Sequence, residues 1–380
     1  MNFRQGTRGP DQEAFIRRLH EDAPVYRDAD GFWVVSRFEA VRAVLLDHEH
    51  FSSAAMGRGF PLLSDDPPRH ATLRGLINKA FTPARIAALK PGIESLARQL
   101  VAQMPAGTDV DVVAALTSPL PVSVIARMLG VPDADHARFK RWSDAIVGVF
   151  DDPTGGDRMQ TLQELAHYFM GVVQARRAAP ADDLITALAH ANDAGVTLND
   201  GQVVGFINLL LIAGNETTTN LLSNLLARLA VRPAQWEALR ADRDLIEGAI
   251  EEALRADSPA QYIVRNARAD VVLDAGDGGT VTIPAGDTVI VYLAAANRDA
   301  AKWQSPDNFD VARERERHLG FGHGVHFCLG APLARVEAHA VMRALVERFA
   351  TVAPGSSSGV RLPTGLLYGY RELPLVFGDS

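Results

Sequence analysis

Apolar positions along this chain recur mostly at helical intervals. Stretches rich in Leu, Ala and Arg at residues 85–104, 121–129, 161–178 and 245–256 carry an apolar stripe between Pro or Gly boundaries, and each predicts a helix. Short apolar runs that predict strands are few, at 32–35, 271–273, 281–283, 289–292 and 375–377. Pro284-Ala285-Gly286-Asp287 predicts the turn of a hairpin between the strands on either side. The Gly-rich run from Asp274 to Thr280 lies between two strands without a following helix or a Gly-Lys-Ser/Thr, so it predicts a hairpin turn and not a phosphate loop. With no internal repeat and no low-complexity linker, the pattern predicts a mainly α fold with small β-sheets, in one domain over residues 1–380.

The longest apolar segment, 203–230, predicts a buried central helix. Asn199 stands where it can cap, and Gln202 where it can reach back to complete a capping box. The middle of the segment breaks the pattern, because Ala213-Gly214-Asn215-Glu216-Thr217-Thr218-Thr219-Asn220 puts glycine, an acid and hydroxyls into a core element at a cost in stability. Gly214 would leave room beside the backbone, and hydroxyls bonded back to carbonyls would bend the helix. Together these predict a groove for a small molecule. The other reading is a helix that meets a neighbouring hydroxyl network.

Cys328, the one cysteine of the chain, lies in Phe321-Gly322-His323-Gly324-Val325-His326-Phe327-Cys328-Leu329-Gly330. Gly322 and Gly324 can take positive φ and fold a tight turn, and the apolar spacing after Pro332 predicts a helix that starts just beyond the cysteine. A helix N-terminus lowers a thiol pKa, and thiolate is the form that binds metal. A lone cysteine without a Cys/His set does not make a structural zinc site, whereas one axial thiolate suffices for heme. The alternative is an inert cysteine buried in a glycine turn.

Composition narrows the function. A net charge of −8 argues against nucleic acid or an anionic membrane as main partner, and the chain has no run of apolar residues long enough to span a bilayer. A soluble, cytoplasmic protein is expected, and the single cysteine agrees with a reducing compartment. His48-Glu49-His50 is expected to be solvated, since alternate positions on a helix point their rings apart.

The cysteine segment resembles the heme-thiolate signature of the cytochrome P-450 monooxygenases, Phe-Gly-x-Gly-x-His-x-Cys-x-Gly, at every fixed position. The resemblance extends over essentially the whole chain, with a short N-terminus that puts the first helix in doubt. It implies the P-450 fold, a single large domain with a long central helix over the heme. Cys328 becomes the axial iron ligand, heme b the cofactor and dioxygen the co-substrate. Glu216 and Thr217 resemble the family's acid and alcohol pair, which feeds protons to dioxygen in a site too dry for bulk water to do so. Glu252 and Arg255 resemble the family's Glu-x-x-Arg, and with Arg313 would support the cysteine loop. His70, Arg74, Arg265 and His326 resemble the ligands of the heme propionates, and Ala213, Gly214, Phe321 and Gly330 would also line the heme.

By position in the family, substrate would meet Met56, Phe60, Leu209, Ile212, Gln261, Ile263, Leu366 and Leu367. These are mostly apolar, so a small to medium hydrophobic molecule is expected, oriented by few polar contacts such as Gln261. Arg58 is expected to be solvated. Electrons would come from a ferredoxin or flavodoxin with an NAD(P)H-dependent reductase, docking on Lys79, Arg85, Arg335 and Arg343. The expected reaction is insertion of one oxygen atom, usually hydroxylation. The rival readings are a non-catalytic heme or gas-binding protein and a heme-thiolate peroxygenase or isomerase.

Overall fold

The computed structural model describes residues 2–8, 12–56, 61–147, 156–193, 195–276 and 278–379. At the N-terminus, α1 (Phe3–Arg8) and α2 (Gln12–Asp22) are both formed, and Phe3 packs edge-on against Tyr262 and Tyr292 with ring centroids 5.2 Å apart. The aromatic contacts tie this end of the chain to a five-stranded sheet. Its order is β1 (Val25–Arg27), β2 (Trp33–Val35), β10 (Thr288–Val291), β7 (Ile263–Ala267) and β3 (Phe51–Ser52), with β2 and β10 parallel. A second sheet joins β11 (Phe349–Pro354), β14 (Pro374–Asp379) and β4 (Asp109–Asp111). Two-stranded pairs are made by β5 (Asn192–Asp193) with β6 (Val196–Thr197), β8 (Val271–Gly276) with β9 (Gly279–Ile283), and β12 (Val360–Arg361) with β13 (Tyr370–Glu372).

The Gly-rich segment is the turn between β8 and β9, as expected. The turn at 284–287 is not a hairpin turn. β10 pairs with β2 and β7 and not with β9, so Gly286, at φ 88°, turns the chain from one sheet into another. Local alternation marks a strand but carries no information on its partner.

Helices fill the rest: α3 (Phe38–Leu46), α4 (Arg69–Ala80), α5 (Pro83–Gln103), α6 (Pro119–Met128), α7 (His136–Val147), α8 (Gly156–Ala178) and α9 (Leu184–Ala189) precede the central α10 (Asp200–Ala230). After it come α11 (Pro233–Ala241), α12 (Leu245–Ala256), α13 (Leu293–Ala296) and α14 (Ala331–Arg348). The capping box of α10 forms as expected. Asn199 Oδ1 accepts from the Gln202 backbone N–H, and Gln202 Oε1 accepts from that of Asn199, both at 2.9 Å.

The two ends of α10 belong to different cores. Val203, Phe206, Ile207 and Leu211 pack with α6, α8 and α9, while Leu221, Leu222, Leu225 and Leu226 pack with α5, α12 and α14. The polar stretch falls between them. Its outward hydroxyls meet other elements: Thr219 donates to the carbonyl of Thr117 at 3.1 Å, and Thr218 hydrogen-bonds Glu337 of α14. The hydroxyl network is thus present, whereas the expected break is not: α10 runs unbroken from Asp200 to Ala230 through the polar stretch. Among the described residues no helix is long and apolar enough to cross a membrane.

Candidate active site

The cysteine loop is built by two glycines and three backbone hydrogen bonds. Gly322 and Gly324 have φ of 71° and 70°, a region costly for any residue with a Cβ. At Gly324 a Cβ would also come within 2.7 Å of the carbonyl oxygen of Leu45, so the loop is pressed onto the end of α3. Phe327 N–H closes on the Gly324 carbonyl at 3.1 Å, Cys328 N–H on that of Phe321 at 2.9 Å, and Gly322 N–H on that of Leu319 at 2.8 Å. Gly330 is the residue before α14, and Pro332 sits in its first turn. Leu329 packs against the same apolar cluster as the first half of α10.

The N–H groups of Gly330 and Ala331 hydrogen-bond the sulfur of Cys328, as the helix terminus led one to expect. Its pKa, however, is raised. Burial is the largest influence and outweighs those hydrogen bonds and the positive charges of Arg74 and Arg335, which act in the opposite direction. The expectation of a lowered thiol pKa counted the helix end and omitted the cost of burial. Metal coordination removes the proton outright, so the sulfur remains a competent ligand.

His70, Arg74, Arg265 and His326 converge, although they come from α4, β7 and the cysteine loop. The rings of His70 and His326 are 4.2 Å apart. Arg74 donates to the carbonyl of Phe327 at 2.8 Å, and Ser53 Oγ lies 2.9 Å from His326 Nε2. His70 is 2% exposed and its Nε2 has no hydrogen-bond partner, while Arg265 is 4% exposed and forms no salt bridge among the described residues. Asp66, the acid whose charge favours Arg265, is already bonded to Ser52, Ser53 and Arg268. Burial holds Arg265 down to about 10, and burial with the charges of His70 and Arg265 holds His326 down to about 3. Such a group of buried donors fits a ligand carrying two carboxylates, because a dianion would satisfy the orphaned imidazole and compensate the guanidinium together. The heme propionates have this chemistry.

On the other side of the loop, Glu252 and Arg255 are 3% and 1% exposed and join through two hydrogen bonds of 2.8 Å. Arg313 adds its Nε to both Glu252 oxygens at 3.1 and 3.0 Å. Arg255 also donates to the carbonyls of Asn297 and Pro306, and Arg313 to those of Gln304 and Asn308, so the cluster ties α12 to the segment leading into the cysteine loop.

On α10, Thr217 Oγ1 donates to the carbonyl of Ala213 at 2.6 Å, the back-bond that hydroxyls make within helices. Ala213 is exposed although it lies mid-helix, and Leu209, Ile212, Glu216 and Thr217 are half-buried, so this face opens onto space. At Gly214 a Cβ would come within 2.4 Å of Ile125 Cδ1, so the missing side chain permits close packing of α10 on α6.

Gln261 is also displaced from its expected role. It is 2% exposed, its Oε1 accepts from Gln12 at 2.5 Å and its amide nitrogen donates to the carbonyl of Ser258, so both ends of the amide are engaged within the protein. Ile263 and Leu366 are half-buried and Leu367 is 9% exposed, bridged to Ala260. Arg58 and Phe60 lie outside the described residues, and of Met56 only the backbone is described. His48, Glu49 and His50 form no metal cluster, and His50 pairs instead with Asp47 at 2.8 Å. The basic patch is weaker than its sequence, since Lys79 pairs with Asp193, Arg335 with Glu251 and Arg343 with Glu347; only Arg85 of the four lacks a carboxylate partner among the described residues.

A family model described as cytochrome P450 matches residues 146–367. PikC, a cytochrome P450 monooxygenase of Streptomyces venezuelae, is 38% identical over 378 residues, covering 94% of this chain and 89% of that protein. The mycinamicin IV hydroxylase/epoxidase of Micromonospora griseorubida is 39% identical, covering 94% of each. The chain belongs to the cytochrome P450 family. Its fold agrees throughout: CYP109Q5 from Chondromyces apiculatus superposes with a TM-score of 0.90 at 37% identity, covering 100% of this P450 and 98% of that one. CYP109E1 from Bacillus megaterium, solved with testosterone, gives 0.88 at 37% identity and covers 96% and 98%. This P450 is therefore a heme-thiolate monooxygenase of organic substrates, with heme iron as cofactor and dioxygen as co-substrate.

Sequence reasoning missed Ser53, Asp66 and Arg268 around the histidines, and Glu251, His318 and Glu337 below the loop. For the first three no local signal exists, because their meeting depends on β3 pairing with β7. Glu337 lies in the helix already recognised, where an acid within an apolar stripe is the sign.

Proposed function

We propose that this P450 hydroxylates apolar molecules of medium size, with Cys328 as axial ligand, His70, Arg74, Arg265 and His326 holding the propionates, and Glu216 with Thr217 moving protons. The observation that carries the assignment is the convergence of an orphaned His70 and an uncompensated Arg265 beside the cysteine loop. Heme bound there through a thiolate supplies activation of dioxygen and cleavage of the oxygen–oxygen bond. The residues do the rest. Thr217, with its proton directed to Ala213, keeps its oxygen free to accept a hydrogen bond from water or substrate-side donors, and exchanging that back-bond turns it into a donor. Glu216, next to it at the edge of the same open face, is suited to replenish the proton.

The reading of substrate rests on Leu209, Ile212, Ile263 and Leu366, none of which brings a polar group, and on relatives named for mycinamicin IV and solved with testosterone. Gln261 is no longer part of it. A separate ferredoxin or flavodoxin, with its NAD(P)H-dependent reductase, is the proposed electron donor. A cytoplasmic location belongs to the same reading, supported by the lone free cysteine.

The reduced, carbon monoxide-bound difference spectrum tests the ligand. A strongly red-shifted Soret band is expected for the wild type and its absence for Cys328→Ala; a histidine-type band in the wild type would overturn the assignment. For Thr217→Ala we expect continued consumption of reduced nicotinamide with peroxide released in place of product. Full coupling in that variant would remove Thr217 from proton delivery.

A further inference from the structure

We propose that Glu251, His318 and Arg335 form a second clamp on the cysteine loop and position Cys328 through Phe321. The inference rests on reading Cys328 as the heme ligand. Glu251 neighbours Glu252 on α12, but successive residues of a helix point about 100° apart, so the two acids serve different partners. Glu252 faces Arg255 and Arg313. Glu251 faces the loop and α14.

The contacts form a chain that ends at the cysteine. Arg335, on the first turn and a half of α14, places Nε 2.7 Å from Glu251 Oε1 and Nη2 2.9 Å from Oε2, the fork geometry of a bidentate pair. His318 Nε2 is 3.1 Å from the same carboxylate. Because Gly320 N–H donates to His318 Nδ1 at 3.0 Å, Nδ1 is the acceptor and Nε2 carries the proton that Glu251 receives. The Arg335 guanidinium then lies 4.6 Å from the centre of the Phe321 ring, a cation–π distance, and the His318 ring is 6.0 Å from it. Phe321 supplies the carbonyl that receives Cys328 N–H at 2.9 Å. Gly320 completes the fit, since a Cβ there would come within 2.6 Å of the Leu254 carbonyl oxygen.

The electrostatics point the same way. Burial would raise the Glu251 carboxyl, but the hydrogen bonds of Arg335 and His318 and the charge of Arg335 outweigh it and hold it at about 2, so the carboxylate is charged at neutral pH. Holding the Arg335 guanidinium on the ring of Phe321 fixes the residue whose carbonyl receives Cys328 N–H, and a firmly held ligand would tune the potential of a bound iron. Arg335 is thus a positioning residue for the ligand and not a free cation on a docking face.

The test uses the heme-loaded protein with Glu251→Gln, Arg335→Gln, Arg335→Lys and the double variant Glu251→Gln/Arg335→Gln. Midpoint potential, rate of heme transfer to excess apomyoglobin and melting temperature are measured for each. We expect both Gln variants to shift the potential and to lose heme about tenfold faster, as for a partly buried pair that loses one partner. The double variant should be no worse than the poorer single one, because the two residues act as a unit. Arg335→Lys, which keeps the charge without the fork, should restore the potential only in part. Wild-type potential and wild-type heme transfer in the Gln variants, even with a lower melting temperature, would reduce the clamp to ordinary scaffolding and overturn the proposal. Failure of the wild type to take up heme would instead overturn the heme-thiolate reading.

Discussion

Two groups of buried basic residues flank the cysteine loop, and they differ in what partners them. Arg255 and Arg313 close on Glu252, with their remaining N–H groups on backbone carbonyls. His70, Arg74, Arg265 and His326 gather against no carboxylate of their own, and His70 Nε2 has no partner at all. A chain can keep a buried ion pair for structure, since each charge compensates the other. It keeps a buried cation without a counterion only where something else brings the negative charge. The complete cluster therefore reads as support and the incomplete one as a binding site, although both are built around arginines.

The largest expected effect comes from making the complete cluster incomplete. Glu252→Gln leaves two buried guanidinium groups without a counterion, and we expect a loss of about 3–5 kcal/mol, measured by denaturant unfolding with and without heme. The loss should appear in both states, because Glu252 serves the fold. Arg265→Gln should behave in the opposite way. Removing an uncompensated cation should leave the heme-free protein as stable as before or slightly more so, while heme transfer to apomyoglobin accelerates about tenfold. Equal destabilisation of the heme-free protein by both variants would erase the distinction between the clusters.

Titration sharpens the comparison through two further buried carboxyls. Burial works to raise Asp257, but Arg228 and Arg298 outweigh it and hold it at about 2, so its contribution is present above the ordinary carboxylate range and lost as pH falls toward 2. Glu337 has one hydrogen bond, to Thr218, and an Oε2 without a partner; burial raises it from 4.5 to about 8. The folded protein keeps that proton while the unfolded chain releases it, so stability falls as pH rises from 4.5 to 8. Glu337→Gln should flatten this alkaline decline, by at most about 1.4 kcal/mol per pH unit, in unfolding curves taken across that window. An unchanged slope would mean that Glu337 is already ionised in the folded protein.

The smallest effect is expected at the supposed docking patch. Since Lys79, Arg335 and Arg343 are paired, reversing Lys79 alone should change the rate of reduction by a surrogate ferredoxin little, and Arg85→Glu somewhat more. A large, salt-dependent loss for Lys79→Glu would restore the patch as first read.

Much of this site was legible one residue at a time. The glycines around Cys328, the capping box at Asn199 and the spacing of Glu252 from Arg255 are local requirements: positive φ, unpaired helix N–H groups, one turn of helix. Each is written within a few neighbouring positions. Gly214 and Gln261 show where that legibility stops. A glycine states that a Cβ is not tolerated, but which neighbour excludes it, here Ile125, is a property of helix packing. A glutamine states that hydrogen bonds will be made, but that its oxygen meets Gln12 depends on a contact 249 positions away.

Sequence by itself determined the helical character, the cysteine loop, the central helix and, through the signature, the chemistry. Tertiary structure alone decided which charges are compensated. It turned β10 away from β9, paired Arg335 with Glu251 beside Phe321, left Arg265 without a salt-bridged carboxylate and raised the Cys328 thiol where its helix end would have lowered it. The reason is physical. Backbone conformation answers to near neighbours, whereas burial and the field at a charged group sum over every element packed around it.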